Sequence, residues 1–188
     1  MPDIWPGFQI TDGSERGGDL IRIEDYDPAW PARYQEWSDR IRSALGSTAA
    51  RVEHVGSSSV PGLPAKPIID IQVSVADVED EPSYVPQLEA TGLQLRSRDQ
   101  LHRYLRPRPG RPRDVHVHVC TSESSWEREH LLFRDYLRTH DEARAAYAAA
   151  KRQAAEQWAD DGWAYTDAKS QVILAILAAA EREQASRE

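Results

Sequence analysis

A short segment in the first half of the chain joins a glycine- and serine-rich turn to a lone acidic residue inside an apolar run. It reads His54-Val-Gly-Ser-Ser-Ser-Val-Pro-Gly-Leu-Pro-Ala-Lys-Pro-Ile-Ile-Asp-Ile71. Gly56 allows a sharp turn in which backbone N–H groups approach an anion closely. Prolines at 61, 64 and 67 disfavour a continuous helix through this segment. The segment therefore predicts a strand, a phosphate-binding turn and a second strand in close succession.

The polar residues of this segment are candidate ligand-binding groups. The hydroxyls of Ser57, Ser58 and Ser59 add donors to the turn, and Lys66 follows close enough to neutralise a phosphate. A solvated lysine before a proline is an equally good interpretation of Lys66. Asp70 lies in a β-branched run typical of an inner strand, where a carboxylate is costly to bury without a partner. We therefore expect Asp70 to face a cation.

A His-x-His pattern offers that cation site two further ligands. Successive strand residues alternate faces, so His116 and His118 should project to one side of a strand at 114–120. If this strand lies beside that of Asp70, the three side chains could bind a divalent cation such as zinc, manganese or iron. In the alternative, one histidine packs against an aromatic ring and the other hydrogen-bonds a neighbour.

The basic residues fall into two groups. Seven arginines lie between residues 96 and 113, where Asp99 is the only acid. We expect Arg103 to point into a semi-buried cleft and bind phosphate. Arginines 108 and 111 should be solvated in the loop. Lys151 and Lys169 are expected on exposed helix faces, unless those helices close over the cleft.

Length and charge limit the classes of protein to consider. The 188 residues, 40% of them hydrophobic, predict one domain at 20–188 behind a loosely ordered N-terminal arm at 1–19. A net charge of −8 disfavours general binding to nucleic acid or anionic membranes. Cys120 is the only cysteine, and neither a secretory segment nor a membrane-length apolar run is visible. These features predict a cytoplasmic protein.

Hydrophobic periodicity and turn residues predict an α+β fold with a helical C-terminal part. We expect an edge strand at 20–23, a helix at 28–45, strands at 51–55 and 68–75, a helix at 82–90 and a hairpin of strands at 101–106 and 114–120. Helices should follow at 123–139, 141–160 and 167–184. Asp141 and Thr166 are candidate N-caps, and Gly162 is a candidate helix break.

The motif at 54–71 resembles the signature of the GrpB family. Further similarities are Tyr26-Asp-Pro-Ala-Trp30, the His-x-His strand, Phe133-Arg-Asp-Tyr-Leu-Arg138, Tyr147 with Lys151, and Lys169, so the resemblance covers about residues 20–182. It implies a nucleotidyltransferase-like fold of the polymerase-beta superfamily, a mixed β-sheet flanked by helices. It also implies that the Gly56-Ser57 turn holds phosphate and that Asp70 lies on the following strand.

The chain departs from the superfamily pattern at its acids. Active nucleotidyltransferases present two acids separated by one residue and a third on a later strand, which hold two magnesium ions. Here Gln72 replaces the second acid, and His116 and His118 stand where the third is expected. Because magnesium prefers oxygen ligands, a two-magnesium mechanism loses most of its coordination. The residues still allow a divalent cation, with magnesium, manganese and zinc all open.

Three functions follow from these observations. The first is binding of a nucleotide or phosphorylated small molecule, with transfer of a nucleotidyl group as a further step. In that reading Asp70, His116 and His118 are the catalytic and metal-binding residues. The second is a non-catalytic phosphate-binding or regulatory module, and the third is a metal-dependent hydrolase that uses the same three residues. Whether the chain is an enzyme stays open.

Overall fold

The computed structural model describes residues 9–10 and 20–187. Its centre is a mixed sheet of six strands in the order β1-β4-β5-β6-β3-β2. The strands are β1 (Gln9–Ile10), β2 (Arg51–Val55), β3 (Ile69–Val75), β4 (Leu93–Arg98), β5 (His102–Pro107) and β6 (Val115–Thr121). Strands β3 and β6 are parallel, whereas the other neighbouring pairs are antiparallel. The predicted α+β class with a mixed sheet is confirmed.

Helices cover both faces of the sheet. They are α1 (Trp30–Leu45), α2 (Val85–Ala90), α3 (Ser125–Thr139), α4 (Asp141–Gln157), α5 (Gly162–Asp167) and α6 (Ser170–Ala185). Trp30 and Ile41 of α1 and Leu88 of α2 join the main apolar core against one face. Helix α3 lies on the other face, where Glu127 accepts a hydrogen bond from Ser74 of β3 at 2.5 Å. The helical C-terminal part is therefore as expected.

Residue alternation along β3 separates these two faces. Ile69, Ile71 and Val73 point to the apolar core and are at most 1% exposed. Asp70 and Gln72 project to the opposite face, because neighbouring strand residues point in opposite directions. In β6 the same alternation buries alternate valines in the apolar core and leaves the histidines on the polar side. The polar face beneath the C-terminal helices is where the candidate site forms.

Several local predictions are wrong. Residues 20–23 form no strand: the Ile21 N–H instead donates to Ala159, and one isolated bridge joins Glu24 to Ala65. Strand β4 was not predicted, and it buries a charged residue, Arg96. The arm predicted at 1–19 lies outside the described residues, apart from β1.

The helix boundaries near the C-terminus also differ from the prediction. Gly162 begins α5 and does not act only as a break, because Asp161 accepts hydrogen bonds from two N–H groups of that helix. Asp141 is the first residue of α4 and follows the N-cap, His140. Thr166 lies inside α5, and Lys169 precedes α6. Among residues 9–10 and 20–187, no helix is both long and apolar enough to span a membrane.

Candidate functional site

A cavity of about 320 Å³ lies between the polar face of the sheet and the C-terminal helices. The β2–β3 connection, the strands β3 and β6, and the helices α3 to α6 with their connections all contribute to its wall. The polar and aromatic lining residues are Ser57, Ser58, Lys66, Asp70, His116, His118, His130, Tyr147, Lys151, Tyr165, Thr166 and Lys169. Most of the predicted site residues therefore meet at one place.

Asp70, His116 and His118 form a compact cluster at the sheet side of the cavity. Parallel pairing places Asp70 directly beside His116, two residues before His118. The Asp70 Oδ1 lies 3.2 Å from His116 Nδ1 and 3.9 Å from His118 Nε2. Burial acts to raise the pKa of Asp70, but its interactions with both histidines outweigh burial and hold that pKa well below its ordinary value.

The same three side chains fit a divalent cation. One ligand atom from each lies within 4.8 Å of the others, close enough to share an ion after small side-chain rotations. One carboxylate and two imidazoles suit zinc, manganese or iron better than magnesium, which prefers oxygen ligands. Three protein ligands also leave a coordination position for a ligand atom.

The Gly/Ser turn forms the second wall. Gly56 has φ +66° and ψ −170°, and residues 57–59 make a single 3-10 turn. Ser57 shares a hydrogen bond with the Tyr147 side chain, and Ser58 lies 3.1 Å from His54 Nε2. Ser59 does not line the cavity: it donates to the Gly56 carbonyl at 2.6 Å. Ser57 and Ser58 thus face the cavity, whereas Ser59 holds the turn.

Glycine is required at position 56, because the backbone of the turn lies very close to the side chain of Asp70. A Cβ at this position would lie 2.8 Å from the Cβ of Asp70, closer than real side-chain contacts allow. We expect Gly56→Ala to lower the free energy of unfolding by about 1–3 kcal/mol for the positive φ alone, and further because Asp70 must move. Urea denaturation measures the change.

Gly62→Ala is the matched control for that experiment. Gly62 also has a positive φ, +76°, but a Cβ there meets nothing within 4 Å. Gly62→Ala should therefore show the loss of stability that comes from the positive φ, without the loss that comes from a steric clash. Equal losses of stability in the two variants would mean that the close contact between Gly56 and Asp70 does not exist in solution.

Three lysines form the third wall, and they are the only lysines of the chain. The Nζ atoms of Lys66 and Lys169 lie 4.3 and 4.0 Å from the ring centroid of Tyr165. Lys151 is 1% exposed, donates to the Pro64 carbonyl and lies 4.7 Å from the Tyr147 ring. Within the described residues, no ion pair joins any of these lysines to a carboxylate.

This crowding changes the proton affinity of the lysines. Burial lowers the pKa of Lys151 to about 7, and the charge of Lys169 adds to the effect. Burial likewise lowers the pKa of Lys169 to about 7, helped by the charge of Lys66. The pKa of Lys66 is lowered by burial too. A bound anion would favour the charged forms of these lysines.

Sequence reasoning missed part of this wall. The prediction that Lys151 and Lys169 are exposed is wrong, because α4, α5 and the α5–α6 connection close over the cavity. Tyr165 was not considered, although its ring lies beside two of the lysine ammonium groups. The available signal was the ratio of the basic residues: with 23 lysines and arginines in total, only three are lysines.

Arg103, like Ser59, is a predicted site residue that does not line the cavity. It pairs with Val119 of β6, so it points to the face opposite the cavity. Its guanidinium donates to Glu81 and to the Asp99 carbonyl, each at 2.6 Å. Its expected position in the cleft is therefore corrected, because the strand parity directs its neighbour Tyr104, and not Arg103, toward the histidines.

Both the sequence and the fold of this chain are similar to those of one protein family. The profile of the family described as GrpB protein matches residues 20–179. A UPF0157 protein of Streptomyces coelicolor is 49% identical over 156 residues, which are 83% of this chain and 82% of that protein. The crystal structure of conserved protein GrpB from Enterococcus faecalis superposes with a TM-score of 0.77 at 31% identity, covering 87% of this chain and 99% of that one.

Two further comparisons are more distant or partial. A protein of Mycolicibacterium paratuberculosis named dephospho-CoA kinase is 35% identical in an alignment of 170 positions that covers 74% of this chain and 40% of that protein. The structure of the GLD-2/RNP-8 complex gives a TM-score of 0.56 at 13% identity, covering 82% of this chain and 60% of that one. The latter similarity concerns the fold alone.

Proposed function

The chain belongs to the GrpB family, and we propose that it binds a nucleotide or another phosphorylated small molecule in the cavity beneath its C-terminal helices. The phosphates contact the lysine wall and the Gly56-Ser57 turn. A divalent cation is held by Asp70 and the two histidines of β6. The resemblance to nucleotidyltransferases, whose acidic strand follows a phosphate turn, supports this arrangement.

The observation that carries the proposal is the convergence of Lys66, Lys151 and Lys169. Burying three ammonium groups together is unfavourable without an anion. Among the described residues, Asp70 is the only carboxylate that lines the cavity, and it already interacts with two histidines. The lysines therefore have unused positive charge inside a protein whose net charge is −8. Phosphate groups would supply the missing negative charge.

A bound divalent cation would act as a Lewis acid toward the ligand. Asp70, His116 and His118 would hold it, and the lysines on the opposite wall would orient the phosphates and offset their charge. The Ser57 hydroxyl and the backbone N–H groups of the turn would fix the end of the phosphate chain. Together these groups would bind a di- or triphosphate more tightly than a single phosphate.

Transfer of a nucleotidyl group is a second candidate function. It is favoured by the position of Asp70 directly behind the phosphate turn, where Gly56 approaches it closely. A relative named dephospho-CoA kinase, in which the matched segment is 40% of the protein, gives some support to a nucleotide-like ligand. Gln72 in place of an acid leaves one cation site, so either transfer or hydrolysis would proceed with a single metal ion.

A thermal-shift screen tests the proposed function. Nucleotides and phosphorylated metabolites are added singly, each with zinc, manganese or magnesium in turn, because a ligand that binds the native state raises the melting temperature. We expect stabilisation by compounds with two or more phosphates, and none by the corresponding nucleosides. If none of the phosphorylated compounds stabilises the protein, the proposal fails and a role in protein interaction gains support.

Anion affinity should depend on pH near neutrality. Lys169 faces Lys66, Asp70 and Tyr165, and Lys151 faces Lys169, Asp70 and Arg152. With both lysine pKa values lowered to about 7, raising the pH from 6 to 8 removes their charge. We expect sulfate, whose own charge is constant in this range, to bind about tenfold or more weakly at pH 8.

Calorimetric titration with sulfate at each pH measures this dependence. Lys169→Arg is the informative variant, because arginine keeps its charge throughout this range. Its affinity for sulfate should change less between pH 6 and pH 8 than that of the wild type. The same decrease in both proteins would show that another group is responsible.

A further inference from the structure

Gln72 is buried beside the metal-binding cluster without a polar partner. It is 0% exposed, and in the part of the chain that the structure describes neither its Oε1 nor its Nε2 has a hydrogen-bond partner. A buried amide without partners is costly, and such groups in a folded protein generally have a specific role. Its position is the one at which a second acid would complete a two-metal site.

The nearest histidine has a matching unsatisfied atom. Gln72 and His118 are paired across β3 and β6, so their side chains lie on the same face of neighbouring strands. His118 directs Nε2 toward Asp70, and its Nδ1 is buried without a partner. If Nε2 binds a metal ion, Nδ1 must carry the proton and requires an acceptor.

Within the described residues, none of the ring neighbours of His118 hydrogen-bonds its Nδ1. Its ring packs against His102 at 5.6 Å, Tyr104 at 5.3 Å and Trp126 at 5.6 Å between ring centroids. The indole of Trp126 only donates hydrogen bonds. His102 Nδ1 is paired with Asp99. Gln72 Oε1 is an acceptor with no other partner, and it lies on the strand next to His118.

We propose that Gln72 is a positioning residue: its Oε1 accepts a hydrogen bond from Nδ1–H of His118 and so holds the lone pair of Nε2 toward the cation. The direct pairing of Gln72 with His118 on neighbouring strands places the amide on the same side of the sheet as that ring. The inference rests on the proposed metal site. Gln72, which replaces the second acid, then has a function of its own, because it orients His118, a ligand of the single metal ion.

Gln72→Met tests the inference, since methionine has a similar length but no amide acceptor. Loss of a hydrogen bond to a metal-binding histidine typically weakens metal affinity 10- to 100-fold. We expect a decrease of about that size in zinc affinity, measured by competition with a chromophoric chelator. Thermal stability without metal should be unchanged or higher, because two buried unpaired polar atoms are removed.

Gln72→Glu is the matched variant that keeps an acceptor at the same position. It should retain the zinc affinity of the wild type or exceed it. A purely structural role of Gln72 predicts instead that stability and zinc affinity decrease together. Wild-type zinc affinity in Gln72→Met would overturn the inference.

Nitrogen NMR of the His118 imidazole gives a readout that does not depend on either variant folding. In the zinc-bound wild type, Nδ1 should carry the proton and show a slowly exchanging N–H. A His118 bound to zinc through Nδ1 would contradict the inference and leave the metal site intact. Absence of zinc binding at Asp70, His116 and His118 would overturn both the inference and the proposed metal site.

Discussion

Lys169→Met is expected to lower the affinity for inorganic tripolyphosphate about 10- to 100-fold, the range for loss of one charge-assisted hydrogen bond. The ammonium of Lys169 lies beside Lys66 and Tyr165 and has no carboxylate partner within the described part of the chain. Its charge is therefore available to a ligand and is not used to hold the fold together. Isothermal titration calorimetry measures the affinity.

The fold itself should tolerate this substitution. Burial lowers the pKa of Lys169, which means that the folded state disfavours its charged form, so an uncharged side chain should not reduce thermal stability. Arg152→Met is the matched control, because it removes a positive charge from α4 at an exposed position that does not line the cavity. Equal losses of affinity in Lys169→Met and Arg152→Met would mean that only net charge matters and that the cavity is not the binding site.

Asp70→Asn is expected to reduce manganese or zinc affinity by at least about 100-fold, more than the loss of a supporting hydrogen bond would. Asp70 supplies the only carboxylate of the cluster, and its oxygen lies between the two histidine nitrogens. Elemental analysis and chelator competition measure the bound metal. Asp160→Asn, at an exposed position near the end of α4, should leave the metal content unchanged.

Asp70→Asn also distinguishes the contribution of the metal ion to anion binding from the contribution of the lysines. Without metal, Asp70→Asn should bind tripolyphosphate more tightly than the wild type, because a carboxylate that repels the anion is gone. With metal added, it should lose the extra affinity that the cation gives to the wild type. Weaker metal-free binding by Asp70→Asn would show that the carboxylate supports the anion site by another route.

Local sequence signals were sufficient for the strand–turn–strand unit. Gly56 has the positive φ and the close approach to Asp70 that a sharp phosphate turn requires. The strand of Asp70 and the strand of the two histidines were also predicted, and alternation correctly placed both histidines on one face. These features depend on neighbours in the chain, which a sequence displays directly.

The remaining parts of the site depend on contacts between distant segments. Lys66, Lys151 and Lys169 meet only because α4, α5 and α6 fold back over the β2–β3 connection. Each lysine alone is indistinguishable from a solvated one. The Arg103 prediction failed for a related reason, because the partner helices decide which strand face is apolar. The sequence signal for this arrangement was the use of lysine, in place of arginine, at just three positions.

The central claim is that one cavity holds a divalent cation and a phosphate chain at the same time. Anomalous diffraction from crystals grown with manganese and tripolyphosphate tests it most directly. We expect a manganese peak coordinated by Asp70, His116 and His118, with phosphate density that reaches Lys66 and Lys169. Manganese bound only at surface carboxylates, with tripolyphosphate outside this cavity, would contradict it.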